Sequence, residues 1–287
     1  MIQTARASPT AHALRAWVDR VRLRHWAHFL VLPLATFDPA AGLAQAGLAA
    51  ARGIAIAFAI LAFGYLINQV SDRGMDLDAR KNPFIADESQ QWLSLAVLLA
   101  VALLLAAQSP WPAQLATLSC LAVGSIYSIG PRIKSMPILG SLANFGNFGP
   151  LLFVGMATTA LPPRFGALVL VFAAVLLQNQ LIHEAGDAVE DRGGGVRTTW
   201  LSCGPAWTSA MAAGLGVVAT LATARLVHPG AVAALAGLSA VLFGASFPLL
   251  LARRGGDWRQ ATRLRLAHRW CAAAFGALLF AAWRWPA

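Results

Sequence analysis

The most regular feature of the sequence is a series of apolar stretches separated by short polar breaks. Stretches of about 17 to 25 residues can cross the hydrocarbon of a bilayer as α-helices. The pattern predicts about nine such helices, at residues 24–42, 52–70, 89–107, 111–129, 141–160, 165–184, 203–225, 229–251 and 267–285. The first is the least regular, because Pro33, Asp38 and Pro39 interrupt it. The sequence therefore predicts an all-α, polytopic membrane protein.

Composition and the N-terminal residues support this prediction. The chain has 287 residues, of which 58% are hydrophobic and only 12% charged, with a mean hydropathy of +0.62. Soluble domains average about 25% charged residues. Residues 1 to 24 carry five arginines and no apolar core, so a cleaved signal peptide is not indicated. We interpret residues 1–23 as a basic cytoplasmic arm and residues 24–287 as one transmembrane domain.

The positive charge is explained by membrane topology. A formal charge of +10 would suggest nucleic acid in a soluble protein. With the N-terminus inside, however, eighteen of the 22 basic residues fall on the inner side of the predicted helices. Such asymmetry is the usual topology signal of membrane proteins. We therefore expect no nucleic-acid partner, and a multi-pass protein of a bacterial inner membrane whose N-terminus lies in the cytoplasm.

Acidic residues are concentrated at two predicted inner loops, 71–88 and 185–202. Nine of the twelve acids lie in or beside them: Asp72, Asp76, Asp78, Asp87, Glu88, Glu184, Asp187, Glu190 and Asp191. Carboxylates at a membrane boundary are costly unless they are solvated, paired or bound to a cation. Each cluster alone could be a solvated loop end. Two matching clusters on one side of the membrane indicate a functional site.

The spacing within each cluster predicts metal binding. Asn68, Asp72 and Asp76 are four residues apart and would stack along one helix face. His183, Asp187 and Asp191 repeat this spacing, with Glu184 beside them. Mg²⁺ typically binds one or two carboxylates together with phosphate oxygens and water. Two such faces opposing each other would hold a diphosphate between metal ions. The predicted metal ligands are Asn68, Asp72, Asp76, Glu184, Asp187 and Asp191, for Mg²⁺ or alternatively Mn²⁺.

Cationic residues lie near both clusters. The stretch from Tyr127 to Lys134 contains Arg132, and Arg197 follows the second cluster. Arginine contacts phosphate oxygens in bidentate fashion, whereas lysine acts as a point charge. We predict that the diphosphate is bound by five residues: Asn68, Tyr127, Arg132, Lys134 and Arg197. The alternative is that these cations only determine topology and that Tyr127 is an interfacial anchor.

Three motifs together resemble the UbiA-type intramembrane prenyltransferases. The pattern N-x-x-x-D-x-x-x-D matches Asn68, Asp72 and Asp76, and Y-S-x-x-P-R-x-K matches residues 127–134. The pattern D-x-x-x-D-x-x-x-G-x-x-T begins at Asp187 and ends at Thr198. The motifs occur in the family's order, and the resemblance covers nearly the whole chain.

The resemblance implies a helical bundle around a central cavity open to lipid. In it, the aspartates would coordinate Mg²⁺ around the diphosphate of a prenyl donor, and an acceptor would capture the prenyl group. Departures from the family pattern at Gln69, His183 and Glu184 leave the subfamily open. A lipid-soluble aromatic acceptor is expected as the family's commonest class. Transfer to a carotenoid or other polyisoprenoid, or phosphoribosyl transfer to a polyprenyl phosphate, are the alternatives.

A divalent-cation-binding transporter is the alternative from another class. Transport predicts acidic groups that continue through the membrane midplane. Here the acids stop at the inner boundary, which favours an enzyme.

Overall fold

A computed structural model describes residues 17–73 and 88–284, and within these ranges the chain is helical and contains no strand. The α-helices are α1 (Leu23–Trp26), α2 (Leu43–Ser71), α3 (Glu88–Ala107), α4 (Trp111–Ser128), α5 (Leu139–Phe148), α6 (Phe165–Gly193), α7 (Thr199–Leu226), α8 (Ala231–Arg254) and α9 (Trp258–Arg284). Short 3₁₀ segments cover Ala27–Thr36, Pro39–Ala41, Ile133–Ser135 and Gly149–Leu152.

Six of these helices, α2, α3, α6, α7, α8 and α9, are long and apolar enough to cross a membrane. They confirm the prediction of an all-α, multi-pass membrane protein. The count of nine spans is not confirmed. Helix α4 coincides with the predicted span 111–129, but it is only 18 residues long and contains Gln114, Ser119 and Ser125.

Two other predicted spans differ from the observed backbone. Residues 24–42 form the short α1 and a 3₁₀ segment with Pro33 inside it, followed by an extended break at Phe37 and Asp38. Residues 141–160 are divided, because α5 ends at Phe148 and a 3₁₀ turn containing Pro150 follows. Proline cannot donate a backbone hydrogen bond and clashes with the preceding turn of an α-helix. Hydropathy alone does not show these breaks.

The chain divides into two compact units. Unit one comprises Met1–Gly130 and Pro150–Thr159, and unit two comprises Pro131–Gly149 and Ala160–Ala287. The sequence indicated a single domain over 24–287. Most of the predicted basic arm lies outside the described residues, but its end is packed: Trp17 stacks on Phe58 at 6.0 Å, and Val21 is fully buried.

Unit one contains a close meeting of three backbone segments. A Cβ added to Gly53 of α2 would lie 2.6 Å from the Gly155 Cα, and one added to Gly155 would lie 2.1 Å from the Pro33 carbonyl oxygen. Only glycine permits such approaches, because any side chain would overlap the neighbouring backbone. The two glycines therefore hold the 3₁₀ segment and residues 153–156 directly against α2.

Unit two is a set of antiparallel helices whose ends can be matched by contacts. At one end, Gly186 of α6 lies against Thr262 of α9, and Gly255, which follows α8, lies against Trp200 of α7. At the other end, Trp283 Nε1 of α9 donates to the Pro163 carbonyl before α6, at 3.2 Å. The end of α6, the start of α7, the end of α8 and the start of α9 therefore share one end of this unit.

Helix α6 is longer than its apolar stretch. It runs from Phe165 to Gly193 and ends in the turn of Gly194 and Gly195. The prediction that residues 185–193 are a loop is wrong, because acidic side chains at a polar helix end are compatible with helical backbone. The consequence is that Asp187 and Asp191 stand on a continuous helix.

Candidate functional site

The first acidic motif lies at the C-terminal end of α2 in unit one. Asn68 Nδ2 donates to Asp72 Oδ2 at 3.1 Å, and the Ser71 hydroxyl donates to Asp72 Oδ1 at 3.2 Å. Asp72 is the C-cap residue of α2, with φ −98° and ψ 4°. The predicted sharing of one face by Asn68 and Asp72 is thus observed. Asp76 lies outside the described residues.

Neighbouring side chains support this motif within the same unit. The Ser128 hydroxyl, at the end of α4, donates to Asn68 Oδ1 at 3.2 Å. This contact joins the residue after Tyr127 to the first acidic motif. Arg73 pairs with Glu88 through Nη1 and Oε2 at 2.7 Å, and it also hydrogen-bonds Gln91. The start of α3 is therefore fixed to the end of α2, beside Asp72.

The second acidic motif lies on α6 in unit two. His183 Nδ1 and Asp187 Oδ2 are 3.0 Å apart, but Nδ1 has no hydrogen bond of good geometry. The contact is therefore an ion pair only when the ring is protonated. Asp191 lies one turn beyond Asp187 and is partly exposed. Both carboxylates remain accessible enough to accept a cation.

The sequence predicts that Glu184 binds a metal ion, whereas in the structure its carboxylate accepts hydrogen bonds from protein groups. Its side chain is buried at 6% exposure. Oε1 accepts from the Ser141 hydroxyl at 2.6 Å and from Gln180 Nε2 at 3.4 Å, while Oε2 accepts from the Trp200 backbone N–H at 3.0 Å. The carboxylate therefore connects α6 to α5 and to the start of α7.

The predicted cations occupy turns rather than helix interiors. Lys134 lies in a 3₁₀ turn that begins after Arg132, whose φ is 49°. This turn packs on α5 at Gly140, where a Cβ would lie 2.9 Å from the Lys134 carbonyl oxygen. Arg197 lies in the turn between α6 and α7 and is exposed. Both turns belong to unit two.

The carboxylates of the two acidic motifs suit Mg²⁺ that is bound together with a phosphate group. Among the residues that the structure describes, no three His, Cys, Asp or Glu side chains form a ready-made metal cage. Mg²⁺ needs only one or two protein carboxylates when phosphate oxygens and water complete its octahedron. Asp72 in one unit, and Asp187 with Asp191 in the other, each provide that number. These groups suit a metal that arrives with a phosphorylated substrate.

Sequence reasoning missed several polar side chains inside the helices of unit two. Asn144 Nδ2 donates to Gln180 Oε1 at 2.6 Å. Gln178 Nε2 donates to the Ala212 carbonyl at 3.0 Å, and its Oε1 lies 3.1 Å from Nε2 of the fully buried His268. The run from Gln178 to Gln180 inside an otherwise apolar span was the available signal, because buried polar groups require partners.

The comparison with known families identifies the chain. The model of the UbiA prenyltransferase family matches residues 29–275. The chain belongs to the UbiA prenyltransferase family. This membership confirms the resemblance and the predicted enzyme class, and it disfavours the transporter alternative.

Relatives of this UbiA-family chain agree with the assignment. A digeranylgeranylglyceryl phosphate synthase of Ignicoccus hospitalis is 29% identical over 228 residues, which cover 75% of this chain and 73% of that protein. A solved structure of a digeranylgeranylglyceryl phosphate synthase has a TM-score of 0.72 at 13% identity and covers 94% of this chain and 98% of its own.

A UbiA homologue from Archaeoglobus fulgidus, solved with GPP and Mg²⁺, has a TM-score of 0.67 at 19% identity and covers 92% of this chain and 99% of its own. At this identity the structural likeness establishes the fold. That relative holds the cofactor and the class of donor that the sequence predicts for the UbiA-family chain.

Proposed function

We propose that the protein is a Mg²⁺-dependent prenyltransferase that ionises a prenyl diphosphate and transfers the prenyl group to a lipid-soluble acceptor. The observation that carries the proposal is the pair of acid-bearing helix ends. Asn68 and Asp72 are hydrogen-bonded at the end of α2, and Asp187 and Asp191 lie one turn apart on α6. Family membership supplies the enzyme class, and the relative solved with GPP and Mg²⁺ supports the substrate and cofactor.

The proposed chemistry assigns a role to each group. Asp72, Asp76, Asp187 and Asp191 would hold Mg²⁺, which when bound stabilises negative charge on the departing diphosphate. Arg197 and Lys134 would donate hydrogen bonds to its phosphate oxygens. The allylic C–O bond breaks with its electron pair on the diphosphate, a nucleophilic atom of the acceptor forms a bond to the allylic carbon, and the acceptor loses a proton.

Two acceptor classes are proposed for testing. The sequence predicts an aromatic ring. The relative from Ignicoccus hospitalis is named for the synthesis of a glyceryl phosphate lipid, which favours a glyceryl phosphate acceptor as the second candidate. Supplying the purified protein with labelled GPP and each acceptor in turn distinguishes them, because only the correct acceptor yields a labelled lipid.

The experiment on the site replaces its carboxylates one at a time. Asp72→Asn, Asp187→Asn and Asp191→Asn should each lower kcat/KM at least about 100-fold, because each removes a negatively charged metal ligand. Excess chelator should abolish wild-type turnover, and Mg²⁺ or Mn²⁺ should restore it. The measurement is release of diphosphate from GPP by folded protein in nanodiscs.

A matched control is Glu190→Gln, which makes the same change of charge at an exposed position of the same helix. This variant should retain nearly wild-type turnover. Normal rates in all three aspartate variants, or full activity in chelator, would contradict the proposed metal site.

A further inference from the structure

Unit one contains a cavity at the end of α2 opposite Asp72. Its volume is about 470 Å³, within the range of small-ligand sites. Gln45, Leu48, Ala49 and Arg52 of α2 form one wall, and residues 107–110 and Ala157 complete the lining. Arg52 precedes Asn68 by sixteen residues, or about 24 Å along a helix axis. The cavity is therefore separate from the acidic motif of this unit.

Among the described residues, Arg52 is the only ionisable one that lines this cavity. Its Nε is buried and has no hydrogen-bond partner. A charged side chain within an apolar span is costly unless it is paired, and such a residue marks a functional site by default. Arg52 Nε therefore lacks an acceptor within the described residues, and an anion in the cavity would supply one.

The remaining polar groups fit the same requirement. Gln45, Gln108 and Ser109 line the cavity beside Arg52, and none of the lining residues that the structure describes is acidic. Gln108 Nε2 donates to the Leu104 carbonyl at 3.2 Å, and the Ser109 hydroxyl donates to the Leu105 carbonyl at 3.1 Å. An amide keeps a second N–H after one hydrogen bond. The lining thus combines one planar cation with amide donors, which is chemistry that suits the tetrahedral oxygens of phosphate.

The surroundings of the cavity favour a lipid as the source of such a phosphate. Leu48, in the cavity wall, is 67% exposed, and Leu104, one turn before Gln108, is 66% exposed. Both belong to helices long and apolar enough to span a membrane. Because side chains on a helix tilt towards its N-terminus, Arg52 can extend towards Gln45 and the N-terminal end of α2. An anionic lipid could place its phosphate at Arg52 and its acyl chains against these leucines.

The wall that carries Arg52 is held in place by its neighbour. Gly53 lies directly against Gly155, where an added Cβ would meet backbone at 2.6 Å. Ala157, which also lines the cavity, follows Gly155 by two residues. The close contact therefore holds the segment that carries Ala157 against the helix that carries Arg52.

We propose that this cavity binds the phosphate group of an anionic phospholipid through Arg52, at the end of α2 opposite the acidic motif of the same unit. The site is distinct from the prenyl diphosphate site and does not depend on the proposed function.

Thermal unfolding of the full-length protein in phosphatidylcholine nanodiscs tests the proposal when phosphatidylglycerol is added in increasing fraction. Wild-type protein should show a saturable rise in Tm. Arg52→Gln should need roughly tenfold more phosphatidylglycerol or more for the same rise, because it loses a charge-assisted bidentate contact. The matched control Arg225→Gln removes an exposed arginine of unit two and should behave as wild type.

Two further arms keep the test decisive. Ala107→Phe fills the cavity from an exposed position at the end of α3 without changing any charge, and it should weaken the lipid response as Arg52→Gln does. Inorganic phosphate in place of the lipid should leave Tm unchanged. Equal lipid responses in wild type, Arg52→Gln and Ala107→Phe would overturn the proposal, and a full response to inorganic phosphate would replace the lipid with a free anion.

Discussion

At the scale of single residues, the hydrogen bonds of Glu184 favour a structural role over the metal-binding role that the sequence predicts. The Ile138 N–H donates to Thr199 Oγ1 at 2.9 Å, and Ser141 Oγ lies 2.9 Å from the same hydroxyl. Because Ser141 uses its only proton on Glu184, the Thr199 hydroxyl must donate to Ser141. The result is a directed chain of hydrogen bonds that ends on the Glu184 carboxylate and joins the beginnings of α5 and α7.

This chain predicts that Glu184 acts mainly on stability. Glu184→Ala should lower the free energy of unfolding by about 1–3 kcal/mol, because the buried Ser141 hydroxyl and Trp200 N–H lose their acceptor. The Mg²⁺ concentration for half-maximal activity should stay unchanged. Thermal unfolding and Mg²⁺ titration measure the two quantities, with Glu190→Gln as the exposed control. A raised Mg²⁺ requirement at unchanged stability would instead make Glu184 a metal ligand.

The sequence could identify Glu184 but not these partners. Motif spacing places residues on a helix face, and it did so correctly for Asn68 with Asp72. Gln180 lies one turn away on the same helix, but the other two partners of Glu184, Ser141 and Trp200, are 43 and 16 residues away. Such contacts depend on how helices pack, and local periodicity carries no information about them.

At the scale of helices, the sequence predicted the location of apolar stretches better than it predicted the conformation of the backbone. Hydropathy measures the preferred solvent of a segment, so it ended the sixth span at residue 184 where the acids begin. The backbone continues as a helix to Gly193, since a helix needs no apolar environment. The opposite error occurred at residues 27–36, where an apolar stretch with an internal proline forms a 3₁₀ segment.

The close packing of α7 against α8 leads to a prediction about stability. A Cβ added to Gly216 would lie 2.3 Å from the Gly244 carbonyl oxygen and 2.7 Å from its Cα. Small residues allow such close approach between membrane helices. Gly216→Ala should therefore force the helices apart and destabilise unit two by about 1–3 kcal/mol. Thermal unfolding in nanodiscs measures the effect.

The matched control for this contact is Gly214→Ala in the same helix, where no atom lies within 4 Å of an added Cβ. That variant should be neutral or stabilising, because alanine restricts the unfolded chain more than glycine does. Equal stability of both variants would show that the contact is not tightly packed. The sequence could not single out Gly216, because the chain contains 25 glycines.

At the scale of the whole molecule, each unit separately indicates the same orientation. The end of unit two that bears Asp187 also carries six of its twelve arginines: Arg192, Arg197, Arg253, Arg254, Arg259 and Arg263. Arg164, Arg225 and Arg284 lie at its other end. In unit one, Arg20 and Arg73 lie beside the end of α2, where Gln69 donates to the Arg20 carbonyl. The positive-inside rule then predicts that both acidic motifs face the cytoplasm.

Cysteine labelling of intact cells tests this orientation. In a variant without Cys120, Cys203 and Cys271, single cysteines at exposed positions report the two ends of each unit: Ser89 and Val189 for the acidic ends, Gln108 and Pro229 for the opposite ends. An impermeant thiol reagent added outside should label Gln108→Cys and Pro229→Cys only. Ser89→Cys and Val189→Cys should react after the membrane is permeabilised. External labelling at either acidic end would contradict a shared cytoplasmic side and, with it, the proposal that both motifs act on one diphosphate.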